Sequence, residues 1–106
     1  MAVVKITKDN FIDEVMQSGK PVLIDFYADW CGPCRMLAPV IEEVSEKYDG
    51  QAIFVKLDVD ENEEAAMKYS ISSIPNVIAV KKGQPIANSL GYVPPEAFEA
   101  FVEKNL

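Results

Sequence analysis

The fold is decided by residues 22–60, VLIDFYADWCGPCRMLAPVIEEVSEKYDGQAIFVKLDVD. Two nearly continuous apolar runs, residues 22–28 and 52–60, are typical of strands that helices cover on both faces. Between them, residues 33–50 predict a helix that Gly50 caps. The apolar side chains on one face of that helix are Leu37, Val40, Ile41, Val44 and Tyr48. The pattern therefore predicts a strand, helix, strand unit.

Shorter patterns extend this unit toward the N-terminus. Residues 3–6 predict a strand, and residues 10–17 predict a helix because their apolar side chains recur at four-residue spacing. The apolar side chains of that helix are Phe11, Ile12, Val15 and Met16.

The C-terminal part has its own signals. Residues 61–70 predict a short helix with acidic residues in its first turn. Residues 76–80 and 85–90 flank a turn at Gly83 and predict an antiparallel hairpin. Pro94 and Pro95 suit the first turn of a last helix, with inward-facing Phe98, Phe101 and Val102. The alternation of strands and helices over residues 1–106 predicts a single α/β domain.

The composition and net charge of the chain argue against some classes of function. The chain has 106 residues, 49% of them hydrophobic, so one core needs no disulfide for stability. Ten Lys and Arg against seventeen Asp and Glu give a net charge of −7, which opposes binding to nucleic acid and to anionic membranes. No apolar run has the length of a signal peptide or a membrane span, and we expect a soluble cytoplasmic protein.

The only two cysteines, Cys31 and Cys34, enclose Gly32 and Pro33. A structural disulfide closing so short a loop would contribute only about 2 kcal/mol. Structural zinc needs four Cys or His ligands, and the chain has no His. Two inert core cysteines are a third alternative, but Gly and Pro mark a turn.

A dithiol that cycles to a disulfide explains the pair best. Cys31 lies where a strand turns into a helix, and the N-terminus of that helix favours thiolate over thiol. The Cys31 thiolate is predicted to attack a substrate disulfide, and Cys34, one helical turn on, to resolve the mixed disulfide.

Residues 25–39, DFYADWCGPCRMLAP, resemble the active-site signature of the thioredoxin family, and the similarity runs over the whole chain. The matching positions along the chain include Asp25, Pro39, residues 73–75, residues 81–83 and Gly91. The resemblance implies a thioredoxin fold, with a central mixed sheet of four to five strands, a parallel core, a C-terminal antiparallel hairpin and helices on both faces. It also implies a protein-disulfide reductase that a thioredoxin reductase re-reduces.

Two charged side chains acquire roles from this resemblance. Asp25 stands in an apolar strand, where a charge is costly, and the family places it buried beneath the cysteines. Burial would raise its pKa and suit it to accept the proton of Cys34, directly or through water. Lys56 matches the family's lysine near that Asp. The alternatives are an Asp25 that faces water from an edge strand and a Lys56 that simply reaches solvent.

The frequency of cis X-Pro bonds alone predicts a trans Ile74–Pro75 bond, whereas the resemblance implies a cis bond that lies against the cysteine pair. The backbone of Ile74 would then pair with substrate as an added strand does. With Pro75, the expected docking surface for protein substrates consists of Trp30, Gly32, Pro33, Ile74 and Gly91.

The leading hypothesis is a monomeric reductant whose partners are a thioredoxin reductase and protein disulfides, with no cofactor or metal besides the Cys31–Cys34 disulfide. A thiol oxidant or isomerase of the same fold is an alternative that Gly32-Pro33 and the absence of His disfavour. Two further alternatives remain. One is a non-enzymatic module that binds a larger partner through Trp30 and Ile74, and the other is a metal cluster that bridges two chains.

Overall fold

The computed structural model describes residues 3–106, and their strands form one mixed sheet. The strands are β1 (Val3–Lys5), β2 (Val22–Tyr27), β3 (Ile53–Asp58), β4 (Asn76–Lys81) and β5 (Gln84–Leu90). The α-helices are α1 (Gly32–Lys47), α2 (Glu63–Lys68) and α3 (Pro95–Lys104), and a π-helical turn covers Ile12–Met16. Elements follow one another in the predicted order.

The strands lie side by side in the order β1, β3, β2, β4, β5. Strands β1, β3 and β2 run parallel, whereas β4 is antiparallel to β2 and β5 is antiparallel to β4. This is the predicted mixed sheet, with a parallel core and a C-terminal hairpin. Strand β2 occupies the centre, and its first five residues are buried because both neighbours and both faces are covered.

Helices cover the two faces of the sheet, as predicted. On one face, Leu23 and Phe54 share a core cluster with Leu37 of α1 and Phe98 of α3. The opposite face packs against the π-helical turn and the end of α2, and its cluster includes Val15, Ile24, Val55 and Tyr69. Successive strand residues serve opposite faces because side chains alternate along a strand.

The helix predictions hold with two corrections. The predicted inner face of α1 is buried, but the helix ends at Lys47 with Tyr48 as its C-cap. Gly50, which was expected to cap the helix, lies two residues beyond in the following turn with a φ of +87°. The left-handed conformation of Gly50, which favours glycine, therefore belongs to the turn and not to the helix cap.

The second correction concerns the predicted helix over residues 10–17, whose apolar side chains include Ile12. Ile12 is 57% exposed, whereas Val15 is buried. The backbone N–H of Gln17 donates to the carbonyl of Ile12 at 2.9 Å, an i to i+5 bond that makes this turn π-helical. Because a π turn contains an extra residue, the four-residue spacing read from the sequence does not describe its faces.

The C-terminal elements follow the sequence signals closely. Lys82 and Gly83 form the two-residue connection of the hairpin, and both have positive φ, at +51° and +77°. Two positive φ angles define the turn whose twist matches that of paired strands. In α3, Phe98 and Val102 are fully buried and Phe101 is half-buried.

Candidate functional site

The two cysteines are joined by a disulfide at the start of α1, and their Cα atoms are 5.2 Å apart. Cys31 is the N-cap residue with an extended backbone, and Cys34 lies in the first turn of the helix. Pro33 stands at the beginning of the helix, where its missing N–H costs no hydrogen bond. The sequence thus places both sulfurs within one turn of the chain.

The Cys31 sulfur replaces the oxygen of an ordinary helix cap. The backbone N–H of Cys34 donates to Cys31 Sγ at 3.2 Å. An N–H donor and the positive end of the helix dipole both stabilise negative charge on that sulfur when the pair is reduced. This geometry favours thiolate at Cys31 over thiolate at Cys34.

Asp25 lies in the middle of β2 and is buried, with 6% of its surface exposed. Its Oδ1 atom accepts no hydrogen bond from any group in residues 3–106. Burial raises the pKa of the Asp25 carboxyl from 3.8 to about 7, and the positive charge of Lys56 opposes that rise. A carboxyl with this pKa can take up and release a proton near neutral pH.

Asp25 and Cys34 line the same cavity of about 130 Å³, together with Tyr27 and Lys56. Lys56 lies opposite Asp25 in the parallel pairing of β2 and β3. Its ammonium nitrogen is 6.0 Å from the centre of the Tyr27 ring. The structure therefore brings together Asp25, Cys34 and Lys56, as the resemblance implied.

The Ile74–Pro75 bond is cis, as the resemblance implied. Ile74 is half-buried and packs against the cluster that contains both cysteines. The N–H of Gly91 donates to the carbonyl of Pro75 at 2.8 Å, and Gly91 has a φ of +85°. This bond ties the chain before α3 to the loop beside the disulfide.

Trp30 is 69% exposed although it adjoins the buried Cys31. Its indole N–H donates to Asp60 Oδ2 at 2.8 Å, which fixes the ring against the loop that follows β3. An exposed tryptophan with a fixed orientation is suited to contact with another protein. Gly32 is half-buried and Pro33 is exposed beside it.

Sequence reasoning missed two residues of this site. Tyr27 stands two positions after Asp25 on the same strand, so the alternation of side chains could have placed both on one face. Asp60 carried no comparable signal, because its contact with Trp30 joins residues that are 30 positions apart.

Within residues 3–106, no group of three or more His, Cys, Asp or Glu side chains is arranged to hold a metal ion. No helix in the described part of the chain has the length and apolar character needed to cross a membrane.

Comparisons with known proteins agree with the geometry. The family model described as Thioredoxin matches residues 2–104. A thioredoxin of Staphylococcus saprophyticus and one of Staphylococcus haemolyticus are each 49% identical to this chain over 106 residues, and a thioredoxin of Staphylococcus aureus is 47% identical. Each alignment covers 100% of both chains.

Proposed function

The chain belongs to the thioredoxin family and is a thiol-disulfide oxidoreductase, and from that premise we propose how its residues divide the work of reducing protein disulfides. Cys31 is the nucleophile, Cys34 is the resolving thiol and Asp25 is the proton acceptor. The observation that carries this assignment is the Cys31–Cys34 disulfide at the start of α1, with Cys31 Sγ accepting the N–H of Cys34.

The first step begins with the reduced pair. The Cys31 thiolate attacks one sulfur of a substrate disulfide, the substrate S–S bond breaks, and a mixed disulfide with Cys31 forms. The other substrate sulfur leaves as a thiolate and takes a proton from solvent. The helix N-terminus supports this step because it holds Cys31 as thiolate before the attack.

The second step forms the disulfide seen in the structure. Asp25 accepts the thiol proton of Cys34 inside the cavity that they share, and the resulting thiolate attacks Cys31 Sγ. The mixed disulfide breaks and the second substrate sulfur leaves as a thiolate. Two electrons have then passed from the cysteine pair to the substrate. The positive charge of Lys56 stabilises the ionised Asp25 that must accept the proton.

Protein substrates dock around the disulfide on a surface formed by Trp30, Gly32, Pro33, Ile74, Pro75 and Gly91. We expect the Ile74 backbone to pair with an extended segment of the substrate, because main-chain hydrogen bonds give affinity without demanding one sequence. The contacts of Ile74 with the cysteine cluster support this placement. Trp30 supplies an apolar flank whose orientation Asp60 fixes.

The wider setting follows from the family. We propose that a thioredoxin reductase returns electrons to the pair, that the protein works as a cytoplasmic monomer, and that residues 1–106 constitute one thioredoxin domain. No cofactor besides the Cys31–Cys34 disulfide is required by these steps. The net charge of −7 supports protein partners over nucleic acid or anionic membranes.

Single-cysteine variants test the division of work. With a fluorescent disulfide-bonded peptide as substrate, Cys31→Ser should abolish reduction because no nucleophile remains. Cys34→Ser should complete the first step and stop, so a mixed disulfide with Cys31 accumulates. Mass spectrometry detects the adduct. Full turnover by either variant, or an adduct on Cys34 in Cys31→Ser at the parent rate, would contradict the assignment.

A further inference from the structure

Side-chain alternation on β2 and the register between β2 and β3 place three side chains close together beside the disulfide. Asp25 and Tyr27 are two residues apart on β2 and therefore point to the same face of the sheet. Lys56 is the register partner of Asp25 on β3, which brings it to that face as well. All three line the cavity that reaches Cys34.

Lys56 has an unusual environment for a half-buried cation. It takes part in none of the ion pairs formed within residues 3–106, so no carboxylate holds its ammonium group by direct contact. The ring of Tyr27 lies beside this group, with its centre 6.0 Å from the nitrogen. At that distance a cation is attracted to the electron-rich face of an aromatic ring.

We propose that Tyr27 is a positioning residue: its ring holds the Lys56 ammonium beside the cavity shared by Asp25 and Cys34, and so sets how readily Asp25 exchanges a proton. The consequence for catalysis rests on the proposed role of Asp25, whereas the contact itself does not. Tyr27 also packs against the cluster that contains both cysteines, but in this role it acts through Lys56.

Other charged and titratable groups also face this region, from several elements. From α1 these are Cys34 and Arg35, from β3 they are Lys56 and Asp58, and from the loops they are Asp29 and Glu61. Burial, with the negative charges of Asp58, Asp29, Glu61 and Asp25, raises the pKa of Tyr27 to about 12. Tyr27 is therefore neutral at physiological pH and acts on Lys56 through its ring.

Loss of the ring has two possible consequences of opposite sign. If Tyr27 only shields the cavity, its removal admits water, relieves the desolvation of Asp25 and lowers the pKa of that carboxyl. If Tyr27 holds Lys56, its removal lets the ammonium move toward solvent, and the pKa of Asp25 rises. The sign of the change thus separates a positioning role from a structural one.

The experiment is a pH titration of the Asp25 side-chain carboxyl by ¹³C NMR in the oxidised protein, which needs no turnover. Tyr27→Leu should raise the pKa of Asp25 by about 0.5 unit relative to the parent. Tyr27→Phe keeps the ring and should leave that pKa where it is in the parent. An unchanged or lowered pKa in Tyr27→Leu overturns the proposal. If the Leu variant does not fold, Tyr27→Thr, which suits a strand end, is read by the same criteria.

A second background isolates the contribution of Lys56. Lys56→Met should itself raise the pKa of Asp25, and adding Tyr27→Leu to it should cause no further rise. A rise of equal size in both backgrounds would overturn the proposal, because the effect would not pass through Lys56. Single-turnover resolution of the mixed disulfide gives an independent pH profile. If Tyr27→Leu shifts the pKa of Asp25 but not the pH profile of resolution, the result would contradict the proposed role of Asp25 in catalysis. It would still support the positioning of Lys56 by Tyr27.

Discussion

Asp25 and Asp58 lie on neighbouring parallel strands, and both are buried, with 6% and 4% of their surfaces exposed. Their surroundings differ at the level of single hydrogen bonds. Asp58 Oδ1 accepts the backbone N–H of Asp60 at 2.8 Å, whereas Asp25 Oδ1 has no donor in the described residues. The hydrogen bond of Asp58 shapes the loop after β3. Asp25 Oδ1 has no hydrogen-bond donor that would favour its ionised form, so Asp25 is suited to exchange a proton.

The loop that Asp58 shapes also serves the site. Asp58 binds the backbone of Asp60, and the Asp60 side chain holds the indole of Trp30. Under the proposed function, Asp58 acts on the docking surface through structure, whereas Asp25 acts on the cysteines as a proton acceptor. Substitutions at the two positions should consequently give different kinds of defect.

The largest expected effect is kinetic. Asp25→Asn should slow resolution of the mixed disulfide about 100-fold at pH 7, because general base catalysis typically contributes at least this much. Formation of the mixed disulfide should keep its parent rate. Rapid-mixing single-turnover measurements separate the two steps. Asp58→Asn is the matched control and should resolve at the parent rate; an equal slowing in both variants would erase the distinction between the carboxylates.

Stability should respond in opposite directions at the two positions. The raised pKa of Asp25, about 7 against 3.8, corresponds to roughly 4 kcal/mol by which the ionised form destabilises the fold at high pH. Asp25→Asn removes that charge but buries an amide without a partner, so we expect a net gain of about 2 kcal/mol at pH 8. Asp58→Ala should instead lose about 1 kcal/mol, because the N–H of Asp60 loses its acceptor. Denaturant unfolding measures both changes.

The pH dependence supplies the control for this prediction. A carboxyl whose pKa is raised by folding favours the folded state below its unfolded pKa, and that advantage is lost as pH rises through the folded pKa. The free energy of unfolding of the parent should therefore fall relative to that of Asp25→Asn between pH 4 and pH 8. A difference between the two proteins that is independent of pH would mean that burial of the charge is not its cause.

The smallest expected effect concerns Trp30. Asp60→Ala removes the acceptor of the indole N–H and should raise KM for a protein disulfide about threefold, with kcat unchanged, because one exposed hydrogen bond is lost. Fluorescence anisotropy of Trp30 should fall at the same time. Asp29→Ala removes an equal charge from a neighbouring exposed position and serves as the control. If both variants change KM equally, the effect comes from the lost charge, and the hydrogen bond from Trp30 to Asp60 does not contribute to substrate binding.

Much of the architecture was predictable because local signals agreed with one another. Apolar runs, helical spacing, Gly83 and the paired prolines at 94–95 each specified an element, and the structure has those elements in that order. The structure departs from the sequence patterns at Ile12 and Gly50, where the detailed shape of a turn decides which side chains are buried and which residue caps a helix. Four-residue spacing does not reveal that a turn has become π-helical.

Part of the site was equally visible in the sequence. Cys31 and Cys34 could be assigned a redox role because their spacing fixes two sulfurs near a helix N-terminus. Asp25 was noticeable as a charge in an apolar strand, and the resemblance to the family implied its place beneath the cysteines. Pairing of Asp25 with Lys56 became an observation only with the register of β2 and β3, and the Trp30–Asp60 contact only with the loop after β3.

By itself, the sequence determined the element order, the α/β class and the cysteine pair, because short-range spacing encodes each of them. The tertiary structure alone decided which of two similar buried carboxylates would lack a hydrogen-bond donor, and which ring would lie beside the Lys56 ammonium. Those outcomes depend on distances between residues that are far apart in the chain. Strand register and loop packing set such distances, and they are fixed only when the whole sheet assembles.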